Sequence, residues 1–548
     1  MRIGLGQFNA VVGDLAGNAK RMRDVYANAL RFNVDLLVFP ELAVCGYPPE
    51  DLLLRKHFLE DNRHIVEELA ADCCEKTIIV GFAEYFRGNS YNAAAVLQNG
   101  RISSVYHKGL LPNYSVFDER RYFEEGDKPL VVELHGLKTT VTICADIWDI
   151  DWLTRFLKGA GEINLILNIS ASPFHLGKAK IRQGIISQCA KAFKCPVGYC
   201  NLIGGQDELV FDGSSYFADS AGRIIAKAKA FEEDLLLVDV NRTDKGKIEV
   251  AALQPPAPQP KNLIEEVYGA LVLGTRDYVL KNGFKKVLIG LSGGIDSSLV
   301  AAIAVTALGP ENVVGITMPS KFNSPQTISD AEKLARNLGI EFLTIPIGPV
   351  FEQFNGSLAQ VEHWEGKGIA YENLQARIRG TILMSLSNQL GYLVLTTGNK
   401  SEVAVGYATL YGDTAGGFAV IKDVFKTMVY KLAEHVNRLG GREIIPADVI
   451  RRAPSAELKE GQKDTDSLPE YDLLDEILKG YVEEDKSPQE LIQSDLPANT
   501  VRDVVRMVDR NEYKRRQSPP GVRITPKAFG KDRRLPITNR YNSFETQQ

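Results

Sequence analysis

Along the first 250 positions, apolar residues fall in short runs separated by longer mixed stretches. The opening MRIGLGQFNAVVGD reads as a strand followed by a loop, and further strands are predicted at VDLLVF (34–39), TIIVGF (77–82), NAAAVLQ (92–98), ISSVYH (102–107), TTVTI (139–143) and INLILNI (163–169). Strands at this density with helical stretches between them predict an α/β or layered α+β sandwich. Downstream the pattern is simpler. KKVLIGL (285–291) leads through a glycine-rich turn into an apolar helix (299–308), then NVVGITM (312–318), a helix over about 327–338, EFLTIPI (341–347) and later YLVLTTG (392–398). Continuous apolar strands alternating with helices predict a doubly wound parallel sheet covered on both faces.

Between the two patterns, Leu253-Gln254-Pro255-Pro256-Ala257-Pro258-Gln259-Pro260 puts four prolines in six residues. Proline has a fixed φ and no N–H, so this stretch predicts an extended linker and the main boundary. The domains expected are 1–250, a linker over 251–262, and 263–548. Beyond about 481 the chain is polar and in places basic, as at Lys514-Arg515-Arg516, and is expected to be a solvated C-terminal extension.

With 548 residues, 44% of them hydrophobic, the chain can build more than one core. Lys plus Arg number 64 and Asp plus Glu 69, a net charge of −5, which argues against a general nucleic-acid or membrane-surface binder. No apolar run reaches the length a spanning helix needs and no basic segment precedes one, so a chain that is neither exported nor membrane-bound is expected. The seven cysteines (Cys45, Cys73, Cys74, Cys144, Cys189, Cys195 and Cys200) form no CxxC pair. They fit a reducing cytoplasm, with most of them small buried residues and one a candidate reactive thiol.

Leu291-Ser292-Gly293-Gly294-Ile295-Asp296-Ser297-Ser298 follows Gly290 where a predicted strand ends and a helix begins. Adjacent glycines let backbone N–H groups converge on an anion, and the helix N-terminus adds partial positive charge. The loop is thus a phosphate site, but without GxxxxGK[ST] it is not of the Walker type. The octet resembles the SGGxDS loop of the ATP pyrophosphatases, which cleave ATP between the α and β phosphates and adenylate their substrate. That resemblance makes residues 290–298 the expected ATP and pyrophosphate site, with Asp296 also a metal ligand.

Further along stand ENLQARIR (372–379), TTGNKSE (396–402), YGD (411–413), KDVFKT (422–427), PSAEL (454–458) and GQKD (461–464). In this order after SGGIDSS they resemble the NAD synthetase branch of that family over about residues 263–540, and they weigh against GMP synthetases and tRNA-modifying ligases. The resemblance implies ATP contacts at Thr397, Arg377 and Lys426, and deamido-NAD contacts at Asn373, Glu402 and Lys514. It also implies Mg²⁺, with ATP as co-substrate, on the hard oxygens of Asp296, Glu402 and Asp413.

In the first half, Glu41, Lys108 and Cys144 each follow a predicted strand. A cysteine nucleophile needs a base for its proton and a fixed cation for the anionic intermediate, and these three residue types supply all of that. The segments FPE, HKGLLP and ICADIW resemble the nitrilase, or carbon-nitrogen hydrolase, family over roughly residues 1–250. That resemblance implies an α-β-β-α sandwich, a Glu41-Lys108-Cys144 triad supported by Glu119, and glutamine contacts at Tyr114, Phe117, Ser172 and Lys178. Two departures stand out. Many glutamine-dependent relatives read Cys-Glu-Asp where this chain has Cys144-Ala145-Asp146, and Lys178 stands where some carry arginine, a point charge in place of a bidentate fork.

Fused in this order, the halves resemble glutamine-dependent NAD synthetases, enzymes that hydrolyse glutamine and pass ammonia to an adenylated deamido-NAD. The partners expected are these small molecules, with no nucleic acid and no membrane, and a homo-oligomer, dimer or larger. The alternatives are another acceptor for the same machinery, or a glutaminase half that has decayed into a regulatory module, an alternative Ala145 keeps open.

Overall fold

The computed structural model describes residues 1–73, 75–541 and 543–544, so Cys74 lies outside the described residues. The chain divides into two compact units, Met1–Leu263 and Ile264–Gln548.

The first unit begins β1 (Arg2–Gln7), α1 (Leu15–Arg31), β2 (Leu36–Val38), α2 (Lys56–Asp72), β3 (Thr77–Phe86), β4 (Asn89–Gln98) and β5 (Arg101–His107). It continues with β6 (Leu130–Leu134), β7 (Leu137–Ile143), α3 (Ile150–Phe156), β8 (Leu165–Ser170), α4 (Lys178–Phe193) and β9 (Val197–Asn201). A hairpin of β10 (Ile203–Gln206) and β11 (Leu209–Asp212) precedes β12 (Tyr216–Ala218), β13 (Ile224–Lys227), β14 (Asp234–Arg242) and β15 (Ile248–Ala252). Two mixed sheets result, ordered β15-β14-β1-β2-β3-β4-β5 and β13-β12-β9-β8-β7-β6.

Their strands read as near-continuous apolar runs because both faces are buried. On β2 and β3, Leu36, Val38 and Ile79 pack with Leu165, Leu167 and Ile169 of β8 in the layer between the sheets. The alternate residues Leu37, Ile78, Val80 and Phe82 pack against Ala19, Met22, Val66 and Leu69 of α1 and α2. On β8, Ile166 turns the other way, onto Ile186 and Ala190 of α4. The period-2 alternation therefore produces four layers, α-β-β-α. Residues 253–260 carry no regular secondary structure, although the Gln254 and Gln259 amides donate to the carbonyls of Leu235 (3.2 Å) and Ala228 (2.8 Å).

The second unit runs α5 (Leu263–Lys281), β16 (Val287–Gly290), α6 (Ile295–Leu308), β17 (Val313–Thr317), α7 (Pro325–Leu338), β18 (Glu341–Thr344), α8 (Gly348–Leu358), α9 (Gly368–Leu390) and β19 (Leu393–Thr396). After these come α10 (Lys400–Val405), β20 (Phe418–Ala419), α11 (Lys426–Gly440), α12 (Ala447–Arg451) and α13 (Tyr471–Leu478). The last helices are α14 (Pro488–Gln493), α15 (Ala498–Arg510) and α16 (Glu512–Arg515). Its five-stranded sheet is parallel throughout, in the order β18-β17-β16-β19-β20. The connections run outward in both directions from β16, so a crevice opens at the carboxyl end of that strand, where open α/β sheets bind ligands.

The residues after 481 are not a solvated extension. Val501, Val504, Val505 and Val508 of α15 lie at i, i+3, i+4 and i+7 and enter a helical core with Leu474, Ile477 and Leu478 of α13. Arg515 is buried and paired with Glu512 at 2.9 Å. Among the described residues, no helix is long and apolar enough to cross a membrane.

Candidate active sites

In the first unit, Glu41, Lys108 and Cys144 stand just beyond the ends of β2, β5 and β7. Gly81 lets the Glu41 turn lie close over β3, since a Cβ there would come within 2.4 Å of the Pro40 carbonyl oxygen. Cys144 itself holds φ at +42°, in the left-handed region that L residues rarely adopt. Such strain persists only where the surroundings over-determine it, as at a nucleophile turn.

The Lys108 ammonium donates to Glu41 Oε1 at 2.6 Å and to Glu119 Oε1 and Oε2 at 2.9 and 2.8 Å. Glu41 Oε1 also accepts from the Asn92 amide at 2.7 Å, and its Oε2 accepts from the Ala171 N–H at 2.7 Å. The Tyr47 hydroxyl donates to Glu119 at 2.9 Å. All four principal side chains are at most 5% exposed. Two carboxylates against one ammonium leave an excess negative charge in this dry space, so the cluster favours retaining a proton. Burial pushes the Glu119 carboxyl up to about 7 while Lys108 pulls it down. Burial, and then the Glu41 charge, push the Cys144 thiol well above its ordinary range, so it rests neutral and needs a base.

The expected glutamine contacts lie less tightly together. Ser172 is buried, its N–H on Asn201 Oδ1 at 3.0 Å. Tyr114 is largely exposed and meets Phe117 edge-on, ring centroids 5.6 Å apart. Lys178 opens α4 with its ammonium 4.1 Å from the centre of the Trp148 ring. Sequence reasoning did not find Asn92, Tyr47 or the Ala171 N–H, whose positions carry no motif of their own.

In the second unit a cavity of about 440 Å³ opens at the end of β16, lined by residues 290–297 and by Thr397, Asn373, Glu402, Asp413, Lys426 and Lys514 among others. Gly293 has φ +79°, and a Cβ there would lie 2.1 Å from the Thr327 carbonyl oxygen, so the turn requires glycine. Ser292 Oγ accepts from the Gly294 N–H at 3.2 Å, and α6 begins immediately afterwards. Ser298 lies beneath the loop, its hydroxyl donating to the Gly294 carbonyl at 2.8 Å.

Lys426, at the first turn of α11, donates to Asp296 Oδ2 at 2.5 Å and Glu402 Oε1 at 3.2 Å. Asn399 ties the same two residues together, donating to Asp296 Oδ1 at 3.0 Å while its Oδ1 accepts the Glu402 N–H at 3.1 Å. Burial pushes Glu402 up to about 7 against the pull of Lys426, with Asp296 and Asp464 adding to the rise. Asp464, also lining the cavity, accepts from the Tyr471 and Tyr407 hydroxyls at 2.9 and 3.3 Å. The Lys426 turn is held from behind by Asp475, which accepts the Thr427 N–H at 2.9 Å and the Ser401 hydroxyl.

Two expected assignments fall differently. Arg377 is exposed and off the cavity lining, its Nε donating to the Leu410 carbonyl at 3.2 Å. Arg379 lines the cavity instead, anchored by the Met318 carbonyl at 3.0 Å and Asn323 at 3.1 Å, with burial lowering its guanidinium to about 10. Asp413 keeps apart from the Lys426 pair in its partners: it accepts the Thr409 N–H at 2.6 Å and faces the Lys514 charge, while Lys514 donates to the Gly406 and Ala408 carbonyls at 2.7 and 3.0 Å. Thr409 also donates to Asn373 at 2.7 Å, so the two expected dinucleotide contacts Asn373 and Lys514 share the segment 406–413. Among the described residues, no group of three or more His, Cys, Asp or Glu stands ready to hold a metal by itself.

Residues 2–248 match the carbon-nitrogen hydrolase family and residues 267–518 the NAD synthase family. The chain is 47% identical over 572 aligned residues to the glutamine-dependent NAD(+) synthetase of Thermotoga maritima, covering 99% of both chains. It is 44% identical to that of Aquifex aeolicus, over 99% of this chain and 100% of the relative. Among solved structures, the glutamine-dependent NAD+ synthetase of Acinetobacter baumannii in complex with ADP is similar at 41% identity over 98% of each chain, with a TM-score of 0.78. A protein that matches such relatives end to end, with both halves in the same order, belongs to the family of glutamine-dependent NAD(+) synthetases.

Proposed function

We propose that the chain makes NAD from deamido-NAD, with glutamine as nitrogen donor and ATP cleaved to AMP and pyrophosphate. The observation that carries this is the pairing, in one chain, of a thiol beside a buried Glu-Lys pair with a Gly-Gly phosphate loop that opens on a cavity holding a lysine-bridged carboxylate pair.

In the first unit Glu41 takes the Cys144 proton, the thiolate attacks the glutamine carboxamide carbon, and the Lys108 ammonium stabilises the oxyanion. Glu119 keeps Lys108 protonated and in place while Glu41 changes its own charge. Glu41 returns that proton to the departing nitrogen so that ammonia leaves, and then takes a proton from the water that attacks the thioester, giving glutamate and restoring the Cys144 thiol. The glutamine itself is held at Ser172, Lys178 and the Tyr114-Phe117 pair.

In the second unit the nicotinate carboxylate attacks the α-phosphorus of ATP, and the Gly293-Gly294 turn with the α6 N-terminus holds the departing pyrophosphate. Ammonia displaces AMP from the acyl adenylate. A bare carboxylate is a poor electrophile with no good leaving group, so adenylation divides one hard step into two easier ones. Asp296 and Glu402 fit a divalent cation such as Mg²⁺ when bound phosphates complete its oxygen shell; it would offset the triphosphate charge. Lys426 and Arg379 supply fixed positive charge, and Asn373 and Lys514 the dinucleotide contacts.

The test is NAD formation from deamido-NAD, ATP and Mg²⁺, with glutamine or ammonium chloride as donor, in the parent and in Cys144→Ala. The parent is expected to use both donors and the variant only ammonium. Glutamine hydrolysis without NAD formation from either donor would refute the acceptor.

A further inference from the structure

Asp146 stands two residues beyond the nucleophile and is fully buried. Its Oδ2 accepts the Ile143 N–H at 2.8 Å and the Tyr106 hydroxyl at 2.7 Å. Its Oδ1 accepts the Leu110 and Gly109 N–H groups at 2.9 and 3.2 Å. No arginine or lysine donates to it among these bonds; it is held by three backbone N–H groups and one phenol. Four donors converge on its two oxygens, the surroundings of a carboxylate anion, while burial pushes its pKa the other way.

The four donors are not scattered. Tyr106 lies two residues before Lys108, and Gly109 and Leu110 directly follow it, so one carboxylate grips the chain on both sides of the lysine. Ile143 directly precedes Cys144. Lys108 follows β5, in the seven-stranded sheet, whereas Cys144 follows β7, in the six-stranded sheet. The reacting thiol and the cation that would face its oxyanion therefore come from different sheets, whose apolar interlayer packs without direction; the Ala171 N–H bond to Glu41 ties β8 to the Glu41-Lys108 pair, and Asp146 ties the Cys144 turn itself to the Lys108 segment. Hydrogen bonds to a buried charge are directional and among the stronger ones, which suits them to fix a separation to a fraction of an ångström.

We propose that Asp146 is a positioning residue that sets the reach between Cys144 and Lys108 and holds the left-handed turn at Cys144. It touches no substrate. The inference rests on the glutaminase reading of this site.

The test uses the full chain with Asp146→Asn and Tyr106→Phe. The amide of Asp146→Asn keeps one acceptor but turns a donor toward N–H groups; Tyr106→Phe deletes one of the four bonds and leaves the backbone clamp. Three quantities are read: kcat and KM for glutamine hydrolysis, the rate and final stoichiometry of Cys144 alkylation by iodoacetamide, and Tm. For Asp146→Asn, kcat is expected to fall about 100-fold with KM nearly unchanged, and alkylation to reach full stoichiometry but about tenfold more slowly. Tyr106→Phe is expected to lose roughly fivefold in both rates with Tm within about two degrees of the parent. Alkylation of only part of Cys144 at the parental rate would mark a folding loss and overturn the proposal, as would parental rates in Tyr106→Phe. If the parent hydrolyses no glutamine yet the variants still slow alkylation, the glutaminase reading fails and the positioning role stands.

Discussion

Each unit places a lysine between two acidic side chains, and the two clusters differ in their openness. Around Lys108 the side chains of Glu41 and Glu119 are 1% and 5% exposed, whereas around Lys426 those of Asp296 and Glu402 are both 18% exposed and line a cavity. The closed cluster has its own proton inventory and suits acid–base work on a small neutral amide. The open one is placed to exchange partners. Phosphates entering the cavity can take over Lys426, which frees Asp296 and Glu402 for a cation. The same residue types are thus suited to proton transfer in one unit and to exchange of ionic partners in the other, and enclosure makes the difference.

The sharpest way to break this comparison is to remove each lysine. Lys108→Met leaves two carboxylates in a dry site, so it should cost about 3–5 kcal/mol of stability and reduce glutamine hydrolysis at least about 1,000-fold. Lys426→Met leaves carboxylates that can hydrate through the cavity, so its stability cost should be clearly smaller, about 1–2 kcal/mol, while ammonium-driven NAD formation falls about 100-fold. Urea titration and the two assays measure both; equal stability losses would remove the distinction.

Next in size is the pair of arginines on α9. Arg379→Ala should lower NAD formation with ammonium by about 10- to 100-fold, and Arg377→Ala by less than about twofold. The reverse order would return Arg377 to the site.

The closed cluster should also show in the pH dependence of stability. Burial raises Glu119 from its ordinary carboxyl range to about 7, so between roughly pH 4.5 and 7 the native state binds more protons than the unfolded state. Stability from this group therefore falls as pH rises through that window. Glu119→Gln cannot ionise, so its Tm relative to the parent should climb by a few degrees between pH 5 and 8. A Tm difference that stays flat or declines with pH would mean that Glu119 is ionised throughout.

The smallest effect concerns the rim of the closed site. Lys178→Arg would offer a carboxylate a bidentate fork and should lower KM for glutamine by roughly threefold with kcat unchanged. A kcat change would place Lys178 nearer the reacting atoms than its position over Trp148 suggests.

Much of the molecule was legible in one dimension. Apolar runs marked β2 to β5, β7 and β8, and the proline stretch stood out as a break in pattern. Gly293-Gly294 was readable because only glycine permits that turn, and Glu41, Lys108 and Cys144, each after a strand, were identified by the resemblance of FPE, HKGLLP and ICADIW to the nitrilase family. What one dimension did not show has definite reasons. Residues 377 and 379 are two apart on a helix, hence about 200° apart around its axis, and only the packing of α9 decides which one faces the cavity. The valines of α15 were visible at helical spacing, but charged residues between them made the segment look solvated.

The sequence by itself determined the order of elements, the phosphate loop and which residue types could do chemistry, because backbone stereochemistry and hydrophobic period are local properties. Only the tertiary structure decided that Asn92 and Tyr47 join the Glu41-Lys108-Glu119 cluster, that Asp464 joins Asp296 and Glu402 beside Lys426 while Asp413 faces Lys514, and that Asp146 ties two sheets together. Those are contacts across tens to hundreds of positions in the chain. They form where burial makes an unpaired polar group costly, and no spacing rule along the chain records that cost.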